Sequence, residues 1–295
     1  MARRRLHGND AETRIAIVVF LAPAMALLLI FKVYPIILSL VGSLFAHSYV
    51  KGRQIFVGLE FYGKLLQDRI FFQSLRATLV FVAITTPVQI FLALMLSLGI
   101  KRSTNVTGVF RSIFLIPIAI ALAVSCIIWA IMLNPNQGIV NSFLGFLGIP
   151  AQPFFTSPRQ SLFGIIIICI WKGVGYWMMF LLTGLQAIPE QLFEAARIDG
   201  AKKLATLWHI TLPLLLRPLT FVFVADTTSN FLLFAPVYMI TNGGPQMSTN
   251  LLMYEAFKAG FIHVDIGRSY SIVTLLIAIT FTIVFLEMRL LRPRH

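Results

Sequence analysis

Ser161-Leu-Phe-Gly-Ile-Ile-Ile-Ile-Cys-Ile-Trp-Lys-Gly-Val-Gly-Tyr-Trp-Met-Met-Phe-Leu-Leu-Thr-Gly-Leu-Gln186 is a 26-residue stretch whose one charge is Lys172. As a helix rising about 1.5 Å per residue it would reach about 39 Å, more than the ~30 Å hydrocarbon core of a bilayer. A buried helix of a soluble domain has no need of such length without charges, so the stretch predicts a membrane span. The same test applied outward along the chain yields six spans, at approximately 15–45, 75–99, 109–133, 161–186, 213–240 and 268–289. The first is expected to bend or end near Tyr34-Pro35, because proline removes a helical N–H.

Composition agrees. Of the 295 residues 58% are hydrophobic and 12% charged, against roughly 45–50% and about 25% in ordinary soluble domains. The formal net charge of +13 would suit nucleic acid in a soluble protein, but these basic residues flank apolar runs, where they suit a membrane surface. Nucleic acid is therefore not an expected partner. The opening Met1-Ala2-Arg3-Arg4-Arg5 superficially resembles a leader, yet apolar residues continue through Leu27, Leu28, Leu29 and Ile30 with no cleavage-like stop, so it reads as an uncleaved first span. Cys126 and Cys169 both lie inside apolar segments, and no His or Cys stands at metal-ligand spacing beside them, so neither a disulfide nor a metal site is expected.

Lys and Arg are distributed unequally across the spans. With a cytoplasmic N-terminus, fourteen fall on the inner side, including Arg3, Arg4, Arg5, Arg14, Lys101, Arg102, Arg111, Arg197, Lys202, Lys203 and Arg217. Eight fall outside: Lys51, Arg53, Lys64, Arg69, Arg76, Arg159, Lys258 and Arg268. The bias predicts both termini inside. The expectation is an all-α membrane protein of about six transmembrane helices, with tails at 1–14 and 290–295 around one membrane domain at 15–289.

Between the fourth and fifth spans runs Ile188-Pro-Glu-Gln-Leu-Phe-Glu-Ala-Ala-Arg-Ile-Asp-Gly-Ala-Lys-Lys-Leu-Ala-Thr-Leu-Trp-His-Ile-Thr-Leu-Pro213. Pro189 suits a first helical position, Asp199-Gly200 suits a helix end, and Ala201 to His209 suits a second short helix before Pro213. The spacing Glu194-Ala195-Ala196, three residues, Gly200, nine residues, Ile210, one residue, Leu212-Pro213 resembles the EAA loop of binding-protein-dependent ABC-importer permeases. The resemblance implies a type I ABC-importer permease fold in a bacterial inner membrane, with the loop at 189–213 coupling to a cytoplasmic ATPase. Glu194, Ala195, Ala196, Asp199 and Gly200 take that role by the same resemblance.

Trp171-Lys172, then Gly184-Leu185-Gln186-Ala187-Ile188-Pro189, and the Gly243-Gly244-Pro245 loop after Tyr238 resemble the carbohydrate branch of that family over roughly residues 75–289. That branch implies a sugar substrate, a second homologous permease, two ATPases that bind the ATP and Mg, and an extracytoplasmic binding protein. Glycerol 3-phosphate is the alternative substrate within the branch, since the first outer loop is rich in basic residues. Compared with the maltose-system permease that bears a large periplasmic insertion, this chain has shorter outer loops, from which its binding-protein contacts would have to come.

No Gly-x-x-x-x-Gly-Lys-Ser/Thr motif is present; Gly99-Ile-Lys-Arg-Ser-Thr has its Lys and Ser misplaced, so ATP hydrolysis is expected of a partner and no cofactor of this chain. A membrane-embedded enzyme would need a convergent catalytic set. His7, His47, His209, His263 and His295 all lie outside the apolar spans, and no catalytic residue is assigned. A channel would leave the 189–213 loop unexplained.

Charges inside spans are functional candidates by default. Lys172 lies about 17 Å and Asp226 about 21 Å from the outer ends of their spans, with Asn230 one turn from Asp226. The two charges are expected to face the bundle interior, where they either pair or line a translocation cavity with Trp171 and Tyr238. Trp129, Tyr176 and Trp177 could stack on sugar rings or simply pack. Gly243-Gly244-Pro245 is either an outer gate or a binding-protein contact.

Overall fold

In a computed structural model, residues 10–48, 53–101 and 104–291 are described. The expected tails therefore fall largely outside the described residues, as do Arg3, Arg4, Arg5, Lys51, Arg102, Arg292 and Arg294. Among the described residues five continuous helices are long and apolar enough to cross a membrane: Ile17–Gly42, Arg69–Gly99, Ser161–Gln186, Lys203–Phe231 and Ile266–Leu290. A sixth unit is a bent pair, Val106–Ala119 and Leu122–Met132, whose halves meet at 97°. In chain order the bent pair stands where the third span is expected, and it is called the third span below.

The spans depart from their expected bounds for local reasons. The first does not stop at Tyr34-Pro35: a wide turn at Leu29–Val33 leads into Tyr34–Gly42, and such a turn absorbs the missing proline N–H. The second starts at Arg69, not 75, because Asp68 caps it by accepting from the Ile70 N–H at 2.8 Å. Arg69 and Arg76 are thus helical. The third, expected as one helix over 109–133, breaks after Pro117, with Ile120 and Ala121 extended. The fifth begins at Lys203 instead of 213, so the second half of the loop at 189–213 is its first turns; Pro213 is accommodated by a wide turn at Leu207–Thr211. It ends at Phe231 and not near 240, and a separate turn spans Val237–Thr241 beyond Pro236.

The chain is not wholly α. Strand β1 (Phe45–Ser48) pairs antiparallel with β2 (Arg53–Phe56), Phe45 opposite Phe56. Their rings meet edge to face at 5.4 Å, a cross-strand aromatic pair of the kind that stabilises hairpins.

The fourth span is central: it packs most extensively on the second and also touches the third and fifth. Small residues make this possible, since without a hydrophobic drive in lipid, close backbone approach supplies the packing. A Cβ on Gly173 would strike the Gln89 amide, one on Gly175 the Phe114 carbonyl, and one on Gly184 the Pro218 ring. Two apolar clusters follow, one around Phe81, Ile165, Phe231 and Leu252, the other around Met178, Leu181, Leu185 and Leu215. The first span is buried only near Gly42, which sits against the Tyr270 ring of the sixth.

Candidate functional site

Four polar assemblies interrupt this apolar frame, one at each end and two between. At the end carrying residues 187–202, a short helix Glu190–Ile198 follows Pro189. Pro189 is its cap, with extended backbone, and not its first helical residue. The helix closes in a Schellman arrangement: Gly200 N–H donates to the Arg197 carbonyl at 3.1 Å and Ala201 N–H to the Ala196 carbonyl at 2.9 Å. That closure places Gly200 in the left-handed region at φ 73°, which a β-carbon disfavours. Ala196 is buried, whereas Glu194, Ala195, Asp199 and Gly200 are exposed together and Ile198 is 86% exposed. The helix is held to the second span by Lys101, whose Nζ lies 3.3 Å from the Phe193 ring centroid and 3.9 Å from Glu190.

Between the ends lies a buried network on Asp226. Its Oδ1 accepts from Gln89 Nε2 at 2.8 Å and Trp177 Nε1 at 2.6 Å. Its Oδ2 accepts from Asn230 Nδ2 at 2.9 Å, and that amide also donates to Thr86 Oγ1. One carboxylate thus joins the second, fourth and fifth spans, its charge met by hydrogen bonds and not by a cation.

The pairing of Lys172 with Asp226 is not what forms. Lys172 Nζ instead donates to the carbonyls of Pro117 and Ile120, at 2.8 and 2.6 Å. These belong to the broken end of the third span, where carbonyls lack intrahelical donors and carry the negative end of the helix dipole. The cation is therefore the strut of the 97° bend. Trp171, beside it, meets Trp129 edge to face at 5.6 Å across the same bend.

At the opposite end, Tyr238 is 45% exposed and stacks on Phe234 at 5.2 Å, with Phe257 at 5.5 Å. The chain then turns through Asn242 and Gly243 at φ 48° and 79°, a cis Gly244-Pro245 bond, and Gln246 and Met247 at φ 50° and 60°. Non-glycine residues hold such angles only where their surroundings over-determine them. Here Thr249 Oγ1 donates to the Gly244 carbonyl at 2.8 Å, Asn250 Nδ2 donates to Ser74 Oγ at 2.6 Å, and Ser248 meets Ser161 at 2.7 Å. Glu255, 2% exposed, anchors the loop by binding Asn250 at 2.9 Å, Lys258 at 2.9 Å and Arg268 at 3.0 Å. Arg268 also reaches Asp68 at 2.6 Å.

The candidate residues therefore fall into separate places: Glu194 to Gly200 at one end, Asp226 with Asn230 in the middle, Lys172 with Trp171 at the bend, and Tyr238 with Gly243 to Pro245 at the other end. The residue pattern does not single out Gln89, Thr86, Glu255 or the loop-anchoring role of Arg268. A glutamine in the middle of an apolar run, and an acid ten residues beyond the Gly-Gly-Pro turn, were the available signals.

Residues 55–294 match the family described as binding-protein-dependent transport system inner membrane component. The sn-glycerol-3-phosphate transport system permease protein UgpA of Agrobacterium fabrum is 31% identical, over 92% of this chain and 93% of its own. The trehalose/maltose transport system permease protein MalF of Thermococcus litoralis is 32% identical over 90% of each chain. Among solved structures, a chain of a bacterial alginate ABC transporter in complex with an alginate pentasaccharide-bound periplasmic protein superposes with a TM-score of 0.83 over 96% of both chains, at 19% identity.

Proposed function

The chain belongs to the family of binding-protein-dependent transport system inner membrane components, and from that premise we propose that it is the permease subunit of an ATP-driven importer for a sugar. The observation that carries the coupling part of this reading is the Schellman-closed helix Glu190–Ile198 with Glu194, Ala195, Asp199 and Gly200 exposed on it. A short rigid helix offering small residues and a charged rim suits insertion into a groove of a partner protein. That partner is a cytoplasmic ATPase, one of two, which binds the ATP and Mg. A second, homologous permease completes the pathway, and an extracytoplasmic binding protein delivers the solute.

Both termini lie in the cytoplasm, so that the 187–202 end faces the ATPases and the Gly243-Gly244-Pro245 loop faces the binding protein. ATP-driven closure pushes the short helix, and the motion passes through the fifth span, which begins at Lys203, to the Asp226 network that ties it to the second and fourth. The bundle then opens outward and accepts solute. In this reading Trp171 and Tyr238 offer aromatic faces to sugar rings along that path.

The sugar assignment is supported by relatives named for trehalose/maltose and sulfoquinovosyl glycerol transport. A second substrate, glycerol 3-phosphate, is favoured by relatives named for it and by Arg69 and Arg76, exposed at the outer end of the second span. The deciding experiment is ATP hydrolysis by the purified complex in lipid with its binding protein, across mono-, di- and oligosaccharides and glycerol 3-phosphate. Stimulation by a sugar is expected; stimulation by glycerol 3-phosphate alone moves the assignment to the second reading, and a chain that carries no ATPase through purification overturns the importer reading.

A further inference from the structure

A cavity of about 530 Å³ opens between the end of the second span and the short helix Glu190–Ile198. Its walls include Leu98, Lys101, Glu190, Phe193, Arg197 and Lys203. Three cations, Lys101, Arg197 and Lys203, thus line one cavity with a single carboxylate, Glu190. Glu190 is stretched between two of them, 3.5 Å from Arg197 and 3.9 Å from Lys101, longer than the 2.7–2.9 Å of a well-formed charge-assisted bond. The apolar side, Leu98 and Phe193, lies at the end of the second span.

We propose that this cavity binds a phosphate group, held by Lys101, Arg197 and Lys203. Three acceptor oxygens with one to two negative charges match three cations lining one cavity better than a carboxylate does, and the guanidinium fork donates to such an anion bidentately. The apolar wall takes the carbon skeleton of the ester. Because the anion bridges the second span, the short helix and the start of the fifth span, it stiffens the joint through which the short helix moves, and so tunes transport from the cytoplasmic side. That consequence rests on the importer reading; the binding itself does not.

The ester comes either from a soluble sugar phosphate or from an anionic lipid headgroup, and one experiment separates them. The complete complex is placed in nanodiscs of phosphatidylcholine alone and titrated with glucose 6-phosphate, with gluconate as the carboxylate control; in parallel, phosphatidylglycerol retained by the complex is measured by native mass spectrometry. Saturable glucose 6-phosphate binding in the neutral nanodiscs identifies a soluble ligand, and selective retention of phosphatidylglycerol identifies a lipid. In either arm Lys203→Gln is expected to weaken binding about tenfold, the usual effect of losing one charge-assisted contact, while Lys101→Arg keeps it. Lys203 is exposed, so its replacement leaves folding intact. Binding of neither probe, equal binding of gluconate, or affinity unchanged in Lys203→Gln overturns the proposal. Loss of the ATPases on purification would count against the importer reading alone, since the Lys203→Gln comparison assigns the binding to this chain.

Discussion

Asp226 is 1% exposed and survives inside an apolar span because three N–H donors converge on it. Replacing it by leucine would leave the Gln89 and Trp177 donors buried without an acceptor, at about 1–3 kcal/mol each. Asp226→Leu is therefore expected to cost about 3 kcal/mol or more, seen as a lower thermal unfolding midpoint of the solubilised complex; an unchanged midpoint would show that the network is dispensable. Lys172 does different work. In Lys172→Met the Pro117 and Ile120 carbonyls lose their donor, and the 97° bend is expected to open. Spin labels at Val109 and Ile131, both exposed, would then report a longer distance, whereas an unaltered distance would mean that Lys172 does not hold the bend. The depth of both charges was legible in the sequence, because depth follows from counting residues at a fixed rise. Their partners were not, because a partner depends on the azimuth of each side chain and on a helix break that residue counting treats as continuous.

At the scale of elements, apolar length identified the spans and the glycine at 200 identified the end of the short helix, since each signal is local. Capping, breaks and wide turns were less legible. Asp68 extends the second span by one and a half turns, and Pro117 ends half of the third, while Pro35 and Pro213 are absorbed by wide turns. The same residue type thus stands at the break of one helix and inside others, where Pro23, Pro87 and Pro218 interrupt nothing; at the break Lys172 satisfies the carbonyls left without helical donors. Gly200 permits a sharp prediction. Valine at φ 73° is strained by about 1–2 kcal/mol, so Gly200→Val is expected to misplace the short helix and abolish uptake while the chain still inserts; uptake at the normal rate would remove the loop from the coupling path. At the other end, Glu255→Gln weakens the hold on Lys258 and Arg268. Amide exchange over residues 242–250 is expected to rise about tenfold, equivalent to about 1.4 kcal/mol, and unchanged protection would assign the loop's shape to its own turns.

For the molecule as a whole, the fourth helix is central, and the buried Asp226 network ties it to the second and fifth spans between the two ends. The short helix and the Gly-Gly-Pro loop lie at opposite ends, and the Asp226 network joins the three spans between them. In the proposed mechanism the short helix is the receiver of ATPase motion, and that role is open to a direct test. With Cys126 and Cys169 replaced, cysteine is placed at Ile198, 86% exposed on the short helix, or at Phe20, 82% exposed on the first span, and the complex with its ATPase subunits is treated with a short thiol cross-linker. Coupling through the short helix predicts a cross-link from Ile198→Cys to the ATPase whose yield changes when ATP is added, and none from Phe20→Cys. Absence of a cross-link from Ile198→Cys, or equal yield from both positions, would contradict it.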